Sequence, residues 1–397
     1  MKKIILSLLL IFTLFDVSFA NNPFVLTGKI ENVVSGNAVL SYWFLVNDKW
    51  EQVKYTSEIK QGLFKFKGSL KEPVNAQLKI GEIMISLFIE PTKMELFITK
   101  TNPDRFKLIG SRIQKESDRF TQETIGLENL ANKIHEQAVK NYDQIKVTPK
   151  TDVNYKKLLV ESEFISLQRD SVSALMAKKE IAFIASHPNS FLPVLERTIV
   201  RLLSRGSLTV DSARALFDKM SEKVKLSSYG TITNTFIKIE ENIVVGKEAP
   251  DFNTPDMTGK IIKLYNFREK SYVLLDFWAS WCGPCIKGIP HTKELYEKYH
   301  DKGLEIIGIS CDRSKEEWIT AVKKHQISIW HNVLSTQSLE RNSQGYVDSE
   351  NISEKYPTDG IPKYILIDKK GEIIGKWEGY SEENEKDMDK VINNFFR

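Results

Sequence analysis

The sequence predicts a multidomain chain with an N-terminal antiparallel β sandwich or barrel, a central α-helical region and a C-terminal α/β domain. Residues 21–110 contain short, alternating apolar segments, which are typical of strands. Residues 111–242 carry apolar residues at helical spacing, and residues 243–397 alternate strand-like with helix-like segments. A chain of 397 residues is also longer than one typical core requires, so several domains are expected.

Residues 1–20 have the pattern of a signal peptide. Lys2 and Lys3 precede an apolar run, and the small residues Ser18 and Ala20 flank a bulky one. The run is shorter than the ~20 apolar residues of a membrane-spanning helix. We therefore expect cleavage after Ala20 and export to the periplasm or cell envelope.

The N-terminal part has segments rich in β-branched and aromatic residues, with turn residues between them. Residues 63–68, for example, alternate apolar and polar side chains at period two. Short strands separated by turns are typical of a small sandwich or barrel. The predicted strands are 24–30, 38–46, 63–68, 83–89 and 94–98.

A seven-residue apolar repeat predicts an amphipathic helix at the start of the central part. Its stripe is formed by Ile113, Phe120, Leu127, Leu130, Ile134 and Ala138. Packing within the chain is the favoured role of this stripe, and a homodimer seam is the alternative. Further helices are predicted over residues 155–176 and after Thr209, which suits an N-cap, while residues 187–190 break the helical pattern between them.

The C-terminal part alternates strands and helices, which predicts a central sheet covered by helices. The strands are expected at 272–277, 304–310, 364–368 and 372–377, and the helices at 282–300, 314–324 and 383–395.

The net charge and the cysteine content limit the classes of function that are expected. The formal net charge is only +4, and its scatter along the chain favours no nucleic-acid partner. The chain has three cysteines, Cys282, Cys285 and Cys311, whereas exported proteins stabilised by disulfides carry many more. The cysteines are therefore expected to take part in a reaction and not to stabilise the fold. Cys311 itself is expected to be a buried thiol at a strand end.

The chemistry is expected at Cys282-Gly283-Pro284-Cys285, which follows a strand and begins a helix. Unpaired backbone N–H groups and the helix dipole favour negative charge at this position, so the pKa of Cys282 should lie below that of a free thiol. The thiolate is the attacking species in thiol–disulfide exchange. Cys285 lies about one turn further on, close enough to form a disulfide with Cys282, and Pro284 suits a first helical turn.

The proposed cycle begins when Cys282 attacks a substrate disulfide and forms a mixed disulfide. Cys285 then resolves that bond and leaves Cys282–Cys285 oxidised. Asp276 lies six residues before Cys282 in an apolar strand run, so a buried carboxylate with a raised pKa could accept the proton of Cys285. A solvent-facing strand residue is the alternative role for Asp276.

Other uses of a CxxC motif fit less well. A zinc site usually needs two such pairs, and haem attachment needs a histidine where Ile286 stands. A peroxidase would place a single reactive cysteine in a different loop. We therefore expect neither a metal nor a cofactor.

The C-terminal part resembles the periplasmic thioredoxin-like reductases of the TlpA and ResA type. The resemblance covers about 150 residues and is carried by 246–252 (GKEAPDF), 259–260 (GK), 281–285 (WCGPC) and 360–362 (GIP). It implies a thioredoxin-like fold for residues 243–397. The first two parts are similar in layout to the N-terminal β modules, of the DUF4369 type, that precede such domains in Bacteroidetes.

The resemblance also implies further site residues. Ile361-Pro362 should be a cis peptide packed against the cysteines, where it leaves backbone free to pair with a substrate strand. Trp281 would flank the nucleophile as an apolar docking surface, together with Gly283 and Pro284, or would be a partly buried scaffold residue.

Three features depart from the pattern of these reductases. Many ResA-like members have a glutamate at the position of Gly288, and many have asparagine at that of Asp276. Proton handling is therefore expected to follow cytoplasmic thioredoxins. Residues 344–358 form a longer loop than usual.

The predicted function is an exported thiol-disulfide oxidoreductase that reduces protein disulfides. The resemblance implies a membrane thiol donor and disulfide-bearing envelope proteins as partners, an apocytochrome or a misoxidised protein among them. Two alternatives stay open: a disulfide isomerase, and a binding module formed by residues 22–242 with an accessory redox domain.

Overall fold

A computed structural model describes residues 22–46, 49–204, 206–335, 352–357 and 360–396. The predicted signal peptide with its cleavage site after Ala20, and most of the long loop at 344–358, lie outside the described residues. The chain divides into two compact units, Met1–Ile125 and Gly126–Arg397.

The first unit is built on one eight-stranded sheet. Its strands are β1 (Pro23–Ile30), β2 (Ser35–Val46), β3 (Lys49–Lys60), β4 (Leu63–Ser69), β5 (Val74–Ile80), β6 (Ile83–Ile89), β7 (Lys93–Ile98) and β8 (Lys107–Ile109). The order is β6-β5-β2-β3-β4-β1-β7-β8. All neighbouring strands are antiparallel except β1 and β7, which run parallel. These two strands are far apart along the chain and are not joined by a tight turn, which would require an antiparallel pair.

The sheet is barrel-like, since inward side chains from all eight strands share a single buried cluster. The predicted β-rich N-terminal fold is thereby confirmed, with the parallel β1–β7 pair as an exception to the antiparallel expectation. Strand β3 was not predicted because its side chains from Glu51 onward are largely solvated, with only Ile59 buried. Strand β5 was also missed, although Val74, Ala76 and Leu78 alternate into the core.

Seven helices lie between the two β regions among the described residues. They are α1 (Arg112–Val147), α2 (Val153–Ser186), α3 (Leu192–Leu195), α4 (Thr198–Ser204), α5 (Val210–Asp218), α6 (Glu222–Lys225) and α7 (Ser228–Asn242). The predicted N-cap is present, because the side chain of Thr209 accepts a hydrogen bond from the Ser212 amide at 3.2 Å. Helix α2 ends where residues 187–190 were expected to break the pattern.

The heptad stripe of α1 packs within the chain along part of its length. Ile134 forms a small buried cluster with Ile165 and Val172 of α2, which Leu127 and Ala138 cover. Leu130, expected on the same stripe, is exposed instead.

The C-terminal part has a thioredoxin-like α/β fold, as predicted. A hairpin of β9 (Asn253–Pro255) and β10 (Ile261–Lys263) precedes a five-stranded sheet in the order β13-β12-β11-β14-β15. The sheet strands are β11 (Tyr272–Trp278), β12 (Leu304–Ser310), β13 (His331–Leu334), β14 (Lys363–Ile367) and β15 (Ile373–Glu378). The helices are α8 (Gly283–Tyr299), α9 (Lys315–Lys324), α10 (Ile352–Lys355) and α11 (Glu382–Phe395).

Strand β11 lies at the centre and is buried on both faces. It runs parallel to β12 and antiparallel to β14. Leu274 and Trp278 point to the core that α8, α9 and α11 cover, whereas Leu275 points to the opposite core. Because side chains alternate along a strand, Asp276 shares the α8 face with Leu274 and Trp278.

Candidate active site

The two cysteines meet where β11 passes into α8. The structure contains the Cys282–Cys285 disulfide. Cys282 is the N-cap of α8, and its Sγ accepts a hydrogen bond from the Cys285 amide at 3.2 Å. Both cysteines are buried, whereas Gly283 and Pro284 are exposed and Trp281 exposes 67% of its surface. The two cysteines are therefore shielded, whereas the residues before and between them reach solvent.

The loop before β14 lies against the first cysteine. Ile361-Pro362 is a cis peptide, as the resemblance implied. The carbonyl oxygen of Ile361 is 3.8 Å from Cys282 Sγ, and Pro362 is buried. The loop thus borders the sulfur of Cys282, the residue that follows the exposed Trp281.

Asp276 is a buried carboxylate beneath this motif. Its Oδ1 atom has no hydrogen-bond partner among the described residues. Burial in this apolar face raises the pKa of Asp276 to about 7, from an ordinary 3.8. A carboxylic acid with this pKa can exchange a proton near neutral pH, so it has the pKa that a proton acceptor for Cys285 would need.

Two family models match parts of the chain. Residues 245–390 match the AhpC/TSA family, and residues 24–117 match a domain of unknown function, DUF4369. Neither model reaches residues 118–244. The thiol-disulfide oxidoreductase ResA of Bacillus cereus (strain ATCC 10987 / NRS 248) is 33% identical over 149 residues, which are 38% of this chain and 78% of the relative.

The chain belongs to the ResA family of thiol-disulfide oxidoreductases. ResA of Bacillus subtilis (strain 168) is 28% identical over 145 residues, 36% of this chain and 73% of the relative. The thioredoxin domain of a thiol-disulfide oxidoreductase from Bacteroides vulgatus is 31% identical, with a TM-score of 0.32, 39% of this chain covered and 99% of that one. A solved thiol:disulfide interchange protein from Bacteroides sp. is 30% identical, with a TM-score of 0.32, 39% of this chain covered and 91% of that one.

Gly288, where the resemblance implied a glutamate in many members, lies against Tyr364. A Cβ atom built on Gly288 would lie 2.6 Å from the hydroxyl oxygen of Tyr364. Tyr364 pairs with Asp276 across β11 and β14, and both burial and the Asp276 charge raise its pKa. A glutamate at position 288 would require Tyr364 to move. The space at Gly288 is therefore occupied by the Tyr364 hydroxyl, and the buried carboxylate on the neighbouring strand is Asp276.

Asp312 is a functional candidate that the sequence reasoning missed. It is fully buried, and it accepts hydrogen bonds from the Ser280 amide at 3.0 Å, the Ser280 hydroxyl at 2.7 Å and the Ser310 hydroxyl at 2.7 Å. These bonds fasten the turn before Cys282 to the end of β12. An acidic residue just after a buried strand, at the edge that carries the cysteines, was the available signal.

Cys311, next to Asp312, is half-buried and remains a thiol. It lies at a strand end, as expected, but it is less buried than predicted. It packs against the same core cluster as Cys282 and Cys285.

Replacing Asp312 with alanine is expected to destabilise the fold by about 2–4 kcal/mol, because the buried hydroxyl of Ser310 and the partly buried amide and hydroxyl of Ser280 lose their acceptor. Urea unfolding measures the change. Asp301→Ala, at an exposed position, is the control and should change stability by less than about 0.5 kcal/mol. Equal effects of the two substitutions would contradict a clamping role for Asp312.

No helix among the described residues is apolar enough over a sufficient length to cross a membrane.

Proposed function

We propose that this thiol-disulfide oxidoreductase is exported and works as a reductase of protein disulfides. The observation that carries the proposal is the Cys282–Cys285 pair at the N-terminus of α8, with Ile361 of the cis-proline loop 3.8 Å from Cys282. Gly283 and Pro284 between the cysteines are typical of reducing thioredoxins. The pattern of residues 1–20 supports export.

In the proposed cycle, the Cys282 thiolate attacks one sulfur of a substrate disulfide, and the other substrate sulfur leaves as a thiolate. The Cys285 thiolate then attacks Cys282 Sγ in the mixed disulfide. This second attack releases the substrate as a dithiol and leaves the Cys282–Cys285 disulfide. Asp276 accepts the proton that Cys285 loses. A membrane thiol donor then returns two electrons and restores the dithiol.

Substrate binding is proposed on the exposed surface around Cys282. The Trp281 ring offers an apolar contact beside the nucleophile, and Gly283 and Pro284 keep the helix end free of bulky side chains. Pro362 has no backbone donor, so an extended substrate segment would pair with the backbone of Ile361. This mode of binding suits a polypeptide, and we propose disulfide-bearing envelope proteins as the partners.

The reduction potential of the Cys282–Cys285 couple is expected near that of thioredoxin, about −270 mV. Equilibration in dithiothreitol or glutathione buffers, followed by trapping of the thiols, gives the value. The same protein should reduce the disulfides of insulin, and the variant with serine at both positions should not. A potential near about −120 mV would indicate a disulfide-forming enzyme and contradict the reductase proposal.

A further inference from the structure

A buried charge cluster joins the helical segment to the strand that follows the cis-proline. Glu240, on α7, exposes 2% of its surface. Its Oε1 atom lies 3.0 Å from Lys363 Nζ, and its Oε2 atom lies 2.6 Å from Lys376 Nζ. Lys363 is the first residue of β14 and directly follows Pro362. A carboxylate from α7 thus reaches the chain one residue away from the cis-proline.

Lys363 depends on this carboxylate. The residue exposes only 2% of its surface, and burial lowers the pKa of its ammonium, while the nearby Glu240 charge opposes that shift. Glu240 is the acidic group in ion-pair contact with Lys363 among the described residues, whereas Lys376 also pairs with Glu378 at 3.3 Å. Lys363 Nζ donates a second hydrogen bond to the Pro357 carbonyl at 3.1 Å, and the more distant Glu378 charge adds to the effect of Glu240. A buried ammonium that loses its counter-charge is strongly destabilised. Loss of Glu240 would therefore act first on Lys363.

The same helical segment contacts the other side of the loop. A Cβ atom built on Gly360 would lie 2.8 Å from the carbonyl oxygen of Ser204, the last residue of α4. The backbone of α4 thus lies directly against the residue that precedes Ile361-Pro362. Ile361, which lies against Cys282, is therefore flanked by Gly360, packed on α4, and by Pro362-Lys363, tied to α7.

We infer that Glu240 is a positioning residue for disulfide exchange: through Lys363 it holds the cis-proline loop in place for binding an extended polypeptide disulfide. The inference rests on the proposed reductase function. The domain boundary predicted at residues 242–243 cuts through this contact. That boundary separates Glu240 from Lys363, so a fragment that begins at residue 243 would lack the carboxylate with which Lys363 pairs beside Pro362.

The test uses the full chain with Glu240→Gln, which keeps size and removes charge. KM for a protein disulfide such as insulin is expected to rise about tenfold while kcat changes less than about twofold, because a displaced loop weakens binding of the substrate backbone. A purely structural role would lower the fraction of active protein, measured by titration of the Cys282 thiol, and would leave KM unchanged. Glu241→Gln is the matched control, since this neighbour on α7 pairs with Arg214 instead.

A second variant, Gly360→Ala, perturbs the loop without altering a charge. Its new methyl group would press on the Ser204 carbonyl, and the same rise in KM is expected. If Glu240→Gln does not fold, the double variant Glu240→Gln with Lys363→Met, which removes both charges of the pair, is measured in its place. Wild-type KM values in the folded variants would overturn the inference. A wild-type protein that fails to reduce insulin would overturn the proposed function instead, so the two failures are distinguishable.

Discussion

Replacing Cys285 with serine is expected to stop turnover, by about a thousandfold or more, and to leave the protein covalently joined to its substrate. The attacking sulfur, Cys282, is retained at the N-terminus of α8, so the mixed disulfide can still form. Its resolution requires the second sulfur, which the structure holds in a disulfide with Cys282. Mass spectrometry under non-reducing conditions should show protein plus substrate as one species that dithiothreitol separates.

Two controls make this result specific. Cys282→Ser should give no adduct, because the remaining Cys285 lies inside the first turn and lacks the N-cap position that favours a thiolate at residue 282. Cys311 packs against the same core cluster, so Cys285→Ser should also be combined with Cys311→Ser to remove the third thiol. An adduct that appears only while Cys311 is present would show that a different pair of sulfurs carries out the exchange.

The site could be predicted from sequence wherever its residues are close along the chain. The Cys282–Cys285 spacing, the strand before it and the helix after it all depend on local patterns, and each lies where expected. The cis peptide before Pro362 came from the family resemblance, since nothing in the local composition requires it. Proton transfer by Asp276 stays a prediction, although the side chain is buried on the face expected of it.

Contacts between distant segments could not be predicted in the same way. Glu240 pairs with Lys363, which lies more than a hundred residues later in the chain, and no local sequence pattern predicts such a pair. A signal did exist within α7, where Thr233, Phe236, Ile237 and Glu240 form one buried stripe. A charged residue on an apolar stripe indicates a buried partner, but its identity depends on the fold.

Glu240 and Asp276, two of the buried carboxylates in this part of the chain, have opposite surroundings. Glu240 faces two ammonium groups, which compensate its charge and tie α7 to the sheet. Asp276 has an Oδ1 atom with no hydrogen-bond partner among the described residues, and its charge is disfavoured by the apolar core. A paired carboxylate is suited to holding structure, whereas an unpaired one with a raised pKa is suited to proton exchange.

Asp276→Asn is expected to slow resolution of the mixed disulfide by about 100-fold, the usual effect of losing a general base. In the wild-type protein, the rate of resolution should rise with pH around the Asp276 pKa of about 7, since only the ionised carboxylate accepts the proton. The variant should lose that rise. Rapid-mixing measurements on a preformed mixed disulfide, from pH 5 to 9, follow the step directly.

The same substitution is expected to stabilise the oxidised protein at pH 8. Because the pKa of Asp276 is about 7 in the folded protein and an ordinary 3.8 when unfolded, the folded state favours the protonated acid. The contribution of Asp276 to stability is therefore most favourable below pH 4 and falls as the pH rises through 7. The asparagine variant does not lose this free energy of unfolding. It should therefore be more stable than the wild-type protein by at most about 4 kcal/mol at pH 8 and no more stable near pH 3.

Slower resolution combined with higher stability at pH 8 would indicate that Asp276 acts as a proton acceptor. Replacing a structural carboxylate would lower the stability instead. Asp301→Asn, at an exposed position, is the control and should alter neither quantity. A variant that is less stable at pH 8 would show that Asp276 is charged and satisfied in the fold. A variant with an unchanged rate and an unchanged pH profile would mean that Cys285 loses its proton to another acceptor, such as water at the exposed edge of the motif.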